Sequence, residues 1–167
     1  MAKTSYAIAL GSNRRHGRHG APAGVVAAAI EALRAVGEVE AQSTIVGTPA
    51  LGPAGRGFAN AVASLSTDLP PDALLDALKD IERRFGRRGG RRWGPRVLDL
   101  DIILWSGGSW GGAPTVPHPA FRGRLFVLAP LAEVAPAWRD PLSGLSVRQL
   151  LFRLGKGAPV DPTHARS

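Results

Sequence analysis

Residues 91–105 read RRWGPRVLDLDIILW, an apolar run that starts directly behind a basic loop and carries Asp99 and Asp101 inside it. Strand side chains alternate with a period of two, so Asp99, Asp101 and Ile103 are predicted on one face and Leu98, Leu100, Ile102 and Leu104 on the other. The leucine face belongs to a core. The aspartate face needs a cation, because two carboxylates ~7 Å apart along a strand repel each other and resist desolvation. Mg²⁺ meets that need, since it takes one or two carboxylates and completes its shell with phosphate oxygens and water. For a bare D-x-D spacing, a solvated edge or an arginine-held pair is the commoner explanation. The arginine-rich loop just upstream shifts the balance toward a nucleotide-triphosphate site, with Mg²⁺ on the carboxylates and guanidinium groups on the remaining phosphate charge.

Upstream of this stretch, Pro71–Phe85 is the clearest predicted helix. Leu74, Leu75, Leu78, Ile81 and Phe85 form its apolar stripe, Asp68 stands where a cap is expected, and Gly86 stops it. Further back, Tyr6–Leu10 reads as a strand ended by a Gly11-Ser12-Asn13 turn, Pro22–Val36 as a helix closed by Gly37, and Val39–Val46 as a second strand. Phe58–Leu65 reads as a third strand. Downstream, Leu125–Val134 and Val147–Leu154 read as helices, and the chain from Gly155 onward as a loose tail. The order strand, helix, strand, strand, helix, strand predicts an α+β ferredoxin-like βαββαβ sandwich, with helices on one or both faces of a mainly antiparallel sheet. No linker composition appears, so residues 1–167 are expected to form a single domain.

With 167 residues and 44% hydrophobic content, the chain is long enough to bury a core without covalent staples. It has no cysteine, which excludes disulfides and thiolate metal sites. No signal-peptide pattern and no membrane-length apolar run are present, so a soluble cytoplasmic protein without a membrane partner is expected. The formal net charge of +8 is carried mostly by arginine. A GC-rich coding bias accounts for scattered arginines; it accounts less well for the cluster at Arg83, Arg84, Arg87, Arg88, Arg91, Arg92 and Arg96. That cluster predicts an anionic partner, either nucleic acid or a phosphorylated small molecule.

Arg92 to Asp101 (RWGPRVLDLD) resembles the signature of the 6-hydroxymethyl-7,8-dihydropterin pyrophosphokinase family of folate biosynthesis. Ala9-Leu10-Gly11-Ser12-Asn13, Phe58-Ala59-Asn60-Ala61-Val62 and Val116-Pro117-His118-Pro119 with Arg124–Leu131 resemble its other blocks in the same order. The resemblance spans roughly Tyr6 to Leu154. It implies transfer of pyrophosphate from ATP to 6-hydroxymethyl-7,8-dihydropterin, giving AMP and the pterin pyrophosphate. It further implies two Mg²⁺ ions held by Asp99 and Asp101, catalytic arginines at Arg87 and Arg96, and a monomer with no nucleic-acid partner. The implied ATP-binding set is Glu82, Arg88, Trp93, Ile102, Thr115, His118 and Arg124, with Arg91 an alternative to Arg88. The implied pterin set is Thr48, Pro49, Leu51, Phe58, Asn60, Trp93 and Phe126, with Phe58 and Phe126 sandwiching the ring. Arg14 and Val97 depart from the family pattern, which has an apolar residue and a threonine there.

The residues are consistent with these roles while admitting plainer ones. Asn60 shares a strand face with Phe58, and its amide offers both donors and an acceptor to a mixed heterocycle edge. Taken singly, Phe58 and Phe126 read as core phenylalanines, and Glu82 as a solvated helix charge. His118 between two prolines reads as a turn histidine bonded to backbone. His16 and His19 receive no role. Gly11-Ser12-Asn13 lacks the lysine and spacing of a phosphate-cradling loop and reads as a turn near the pocket. An RNA-binding ferredoxin-like domain is the competing prediction; such domains present aromatics on central strands, where Val97–Leu104 presents aspartates. A fold that has lost activity and serves as an interaction module is a third.

Overall fold

A computed structural model describes residues 2–13, 16–48, 57–86 and 97–157, apart from the Thr48 side chain. Its elements run β1 (Thr4–Ser12), α1 (Pro22–Leu33), β2 (Glu38–Gln42), β3 (Val46–Thr48), β4 (Phe58–Thr67), α2 (Pro71–Gly86), β5 (Asp99–Trp105), a 3₁₀ turn (Phe121–Gly123), α3 (Leu125–Val134) and α4 (Val147–Gly157). The strands form one sheet in the order β2-β4-β1-β5, with β3 on β4 beside β2, and every pairing among them is antiparallel. No helix among the described residues is long and apolar enough to cross a membrane.

Period-two alternation sorts the sheet's side chains between two cores. Tyr6, Ile8 and Leu10 of β1, Ala61 and Leu65 of β4, and Leu100 and Ile102 of β5 pack under α1 and α2. The apolar stripe of α2 (Leu74, Leu78, Ile81, Phe85) is fully committed to this layer. On the opposite face Ala7, Val62, Ile103 and Leu104 pack under Phe121, Val127, Leu128 and Leu131 of the 3₁₀ turn and α3, and under Val147 and Leu150 of α4. That second layer is shorter than the sheet, and the strand ends carrying Phe58, Asn60, Gly11, Asp99 and Asp101 extend past it.

Several boundaries differ from the sequence reading, each for a local reason. Leu104 does not share the face of Leu98, Leu100 and Ile102. The β1–β5 ladder slips opposite Ile103, pairing Ile8 with Ile102 and Ala7 with Leu104, and this bulge turns Leu104 into the second core. The predicted strand 39–46 is split, because the ladder to β4 slips at Glu40 and again after Ser43, where Ser43 Oγ accepts the Val62 N–H at 2.9 Å in place of a backbone carbonyl. Gly11 and Ser12 are not a turn. They continue β1, paired to Asn60 and Ala59 on one side, with Gly11 paired to Asp99 on the other. α1 ends at Leu33, and tight turns carry the chain to Gly37, where a Cβ would stand 2.3 Å from the Ser66 carbonyl oxygen. α2 begins at Pro71, and Asp72 rather than Asp68 is the first-turn acid, bonded to the Ala73 N–H at 2.9 Å. α4 runs through Gly155 to Gly157, its last turn carrying Lys156 with its ammonium 5.5 Å from the Phe152 ring centroid.

The 3₁₀ turn that leads into α3 is fastened by a buried carboxylate. Asp140 accepts Arg122 Nε at 2.6 Å and Nη2 at 2.8 Å, the Leu142 N–H at 3.0 Å and the Ser143 hydroxyl at 2.7 Å. A buried charge with every lone pair engaged is stable where a half-paired one is not. The Arg122 guanidinium and these further bonds outweigh burial and hold the Asp140 carboxyl down to about 2. The folded value lies below the ordinary one, so the stabilisation is present above about pH 4 and is lost as pH falls through about 2. We expect the wild type to lose about 2 kcal/mol more unfolding free energy than D140N over that window, measured by urea denaturation at stepped pH. Parallel curves for the two proteins would contradict the assignment.

Candidate active site

The open end of the sheet is organised by register. Because β1 lies between β4 and β5, Asn60, Gly11 and Asp99 stand side by side across three strands, and Val62, Ala9 and Asp101 form the next row. All of these point to the α3 side. The middle column of β1 on that face is Ala7, Ala9 and Gly11, so nothing bulky separates β4's side chains from β5's. Gly11 is the tightest point, since a Cβ there would come within 3.0 Å of Asn60 Oδ1.

Two adjoining cavities rise from this floor. One, of about 440 Å³, is lined by Gly11, Ser12, Asn13, Phe58, Asn60, Asp99 and Phe126. The other, of about 340 Å³, takes in Ala9, Gly11, Asn60, Asp99, Asp101, Arg124 and Phe126. The first is an apolar slot with an amide at its base. Phe58 and Phe126 line it while remaining 54% and 52% exposed, far more than core phenylalanines tolerate without a function. The second cavity is charged, with Asp99 exposed and Asp101 half-buried on one wall and Arg124 on the other. Arg124 also lies over the Phe126 ring, 5.7 Å from its centroid, so a cation and an aromatic face arrive together at the start of α3.

Two further predicted residues grip the outer edge of β5, which has no strand beyond it among the described residues. Glu82 of α2 accepts the Leu100 N–H at 2.7 Å, between the two aspartates. His118 donates its backbone N–H to the Ile103 carbonyl at 3.0 Å, and its Nδ1 accepts the Ala120 N–H at 3.1 Å. That acceptance fixes the proton of the neutral ring on Nε2. Burial lowers the His118 pKa; Asp101 pulls it up and Arg124 pushes it down. The ring is therefore neutral at pH 7 and presents an Nε2–H donor.

The structure thus brings together Asp99, Asp101, Arg124, Phe58, Asn60 and Phe126, with Glu82 and His118 beside them. It does not bring in the Ile102 side chain, which is buried with the α1–α2 core, nor Thr115, whose hydroxyl bonds the Gly112 carbonyl at 2.9 Å in an exposed turn. Pro49, Leu51, Arg87, Arg88, Arg91, Trp93, Arg96 and the Thr48 side chain lie outside the described residues. The floor role of Gly11 and Ala9 was not foreseen; its signal is the run of small residues at period two, Ala7-x-Ala9-x-Gly11.

Among the described residues no group of three or more His, Asp or Glu forms a self-sufficient metal cage. Two carboxylates facing a cavity with a guanidinium opposite are a donor set suited to Mg²⁺ shared with a polyphosphate, and unsuited to a metal held by protein alone.

A sequence profile described as 7,8-dihydro-6-hydroxymethylpterin-pyrophosphokinase (HPPK) matches residues 7–136. Three bacterial proteins named 2-amino-4-hydroxy-6-hydroxymethyldihydropteridine pyrophosphokinase are similar. The one from Synechocystis is 44% identical over 128 residues, covering 75% of this chain and 66% of that protein. The Pseudomonas aeruginosa protein is 43% identical, covering 80% and 82%, and the Methylorubrum extorquens protein 38%, covering 88% and 91%. The HPPK-DHPS of Plasmodium falciparum superposes with a TM-score of 0.73 at 11% identity, over 95% of this chain and 46% of that one. This last likeness concerns the fold alone, and the chain spans less than half the length of the Plasmodium chain.

Gly11→Ala tests the floor. The added methyl forces the Asn60 amide to move by a few tenths of an ångström while the strand pairing stays, so the Asn60 side-chain amide resonances should shift and far-UV circular dichroism should not. Unmoved Asn60 resonances would show that the floor has slack.

Proposed function

The chain belongs to the 7,8-dihydro-6-hydroxymethylpterin-pyrophosphokinase family, and from that premise we propose that it transfers pyrophosphate from ATP to 6-hydroxymethyl-7,8-dihydropterin, giving AMP and the pterin pyrophosphate of folate biosynthesis. The single observation that carries this reading is the shared wall of the two cavities. Gly11, Asn60, Asp99 and Phe126 line both, so a flat heterocycle in the slot would meet a polyphosphate in the charged cavity edge to edge.

Each residue then has a definite task. Phe58 and Phe126 would stack on the two faces of the pterin, and the Asn60 amide would read its edge with both donor and acceptor. Arg124 would take phosphate charge, and the His118 Nε2–H would donate to a phosphate oxygen. Asp99 and Asp101 would hold Mg²⁺, two ions in our reading, which when bound neutralise the triphosphate and favour attack at phosphorus. The hydroxymethyl oxygen forms its bond to the β-phosphorus as the bond from that phosphorus to the α,β-bridging oxygen breaks. AMP leaves and the hydroxyl proton is lost to solvent. No nucleophilic side chain is needed; the residues orient and neutralise. Arg87, Arg96, Arg88 or Arg91, and Trp93, together with Thr48, Pro49, Leu51, Ile102 and Thr115, complete the proposed ligand shell on the strength of family resemblance.

The strand order and alternating directions of the sheet support a ferredoxin-like βαββαβ sandwich extended by β3, α3 and α4. We propose a single domain over residues 1–167, acting as a cytoplasmic monomer with no nucleic-acid or membrane partner. RNA binding is disfavoured because the open sheet face carries Asp99 and Asp101, which repel a phosphate backbone.

Incubation with ATP, Mg²⁺ and the hydroxymethyl-dihydropterin should yield AMP and pterin pyrophosphate in equal amounts by ion-exchange chromatography. ADP as product would overturn pyrophosphoryl transfer. Asp99→Ala and Asp101→Ala should each lower turnover at least ~100-fold with an unchanged melting profile, as expected when a charge-stabilising group is removed. Turnover at the wild-type rate in either would remove that residue from the metal site.

Phe126→Ala should weaken pterin affinity by about 1–3 kcal/mol, the range for loss of a buried aromatic stacking surface, and leave nucleotide affinity nearly unchanged. Calorimetric titration with each ligand separately distinguishes this from a general loss of the site, which would weaken both alike.

A further inference from the structure

β5 is an edge strand whose inner side is fully engaged with β1 at the two aspartates, Asp99 opposite Gly11 and Asp101 opposite Ala9. Its ladder then slips at Ile103, two residues beyond Asp101, and resumes at Leu104 and Trp105. An edge strand interrupted by a bulge can twist on either side of it, and one residue of slip or a modest rotation turns alternate side chains away from their common face. The outer edge is where such twisting is resisted. Midway between the aspartates, the Leu100 N–H points out of the sheet, and Glu82 Oε2 accepts it at 2.7 Å, a short, charge-assisted bond. Leu100 itself is buried in the core that also takes Leu78 and Ile81 of α2, the helix that carries Glu82. The strand is therefore pinned to α2 both through its side chain and through its amide at the residue that separates the carboxylates.

We propose that Glu82 is a positioning residue for the carboxylate pair. By holding the Leu100 amide it fixes the rotation of β5, so that Asp99 and Asp101 present their oxygens to one cation site. It acts through the strand, in place of the direct ATP contact that the family resemblance implies for it. This assignment rests on the reading of Asp99 and Asp101 as the Mg²⁺–triphosphate site. Outer residues that orient metal ligands typically change metal affinity by about 10–100-fold when removed. A purely local role, one edge amide finding an acceptor, predicts lower stability and no selective effect on metal binding.

The test compares Glu82→Ala, Glu82→Asp and Glu82→Gln in the full chain. Calorimetry measures affinity for a non-hydrolysable ATP analogue across a Mg²⁺ series and, separately, for the pterin; amide hydrogen exchange reports on Leu100. E82A loses the acceptor and E82D is one methylene too short to reach, so both should bind the Mg²⁺–nucleotide complex at least ~10-fold more weakly with pterin affinity unchanged, and Leu100 should exchange faster. E82Q keeps an oxygen at the same reach and should retain most of the affinity and the Leu100 protection. Wild-type Mg²⁺–nucleotide affinity in E82A would overturn the proposal. So would an E82Q defect as large as that of E82A, because charge rather than the hydrogen bond would then be responsible. Parallel loss of pterin and nucleotide binding with a lowered melting temperature would reduce Glu82 to a fold-stabilising role. Failure of the wild type itself to bind the Mg²⁺–nucleotide complex would instead defeat the underlying functional reading.

Discussion

Asn60, Gly11 and Asp99 stand abreast across three strands, and the space between the outer two is open because the middle residue has no side chain. Any Cβ at position 11 meets the Asn60 amide, and any larger group would fill the space between the aromatic slot and the carboxylates. The same column of β1 offers only Ala7 and Ala9 further along, so the second face of the sheet is shallow throughout. At one end that shallowness lets the 3₁₀ turn and α3 pack closely through Phe121, Val127, Leu128 and Leu131. At the other end no helix among the described residues covers the floor. Packing and site are thus two halves of one surface, divided where α3 begins at Leu125.

That division makes the first turn of α3 the hinge between scaffold and chemistry. Arg124 and Phe126 project into the cavities while Val127 and Leu128 anchor the helix. The position of the turn is set from behind by the Arg122–Asp140 pair, its carboxylate buried and saturated with hydrogen bonds, which ties the entry of α3 to the connection before α4. On the far side, Glu133 near the end of α3 accepts both the backbone N–H and the hydroxyl of Thr44 at 3.0 and 2.9 Å, fixing the helix to the link between β2 and β3. α3 is therefore held at both ends, and its Phe126 lines the slot together with β4's Phe58.

β5 presents the converse problem, an edge strand that must hold two like charges on one face. Its backbone is satisfied on the outer side by Glu82 at Leu100 and the His118 amide at Ile103, groups beside the two aspartates. Edge strands ordinarily need protection from pairing with other chains, and these contacts supply it with single residues in place of a further strand. The neutral state of His118 follows from the same burial.

Much of this was legible in the residues alone. The period-two placement of Asp99 and Asp101 against Leu98, Leu100 and Ile102, the 3.6-residue stripe of α2 and the element order from β1 to β5 all follow from patterns that local geometry imposes. Leu104 escaped that pattern because a bulge is decided by the partner strand, and the split of β2 from β3 escaped it because Ser43 substitutes a side-chain oxygen for a ladder carbonyl. Ile102 is named among ligand-binding positions by resemblance, yet its side chain is committed to the core.

What the sequence by itself determined is the identity and facing of the chemical groups: two carboxylates on one strand face, an amide beside an aromatic on another, arginines upstream, and a family signature across nearly the whole chain. What only the tertiary structure decided is which groups meet. Strand register set Gly11 between Asn60 and Asp99, and the length of α3 decided how much of the sheet stayed open. The position of α2 turned Glu82 from a surface charge into an acceptor between the two aspartates. Register, coverage and edge satisfaction arise from contacts between residues far apart in the chain, and no local periodicity encodes them.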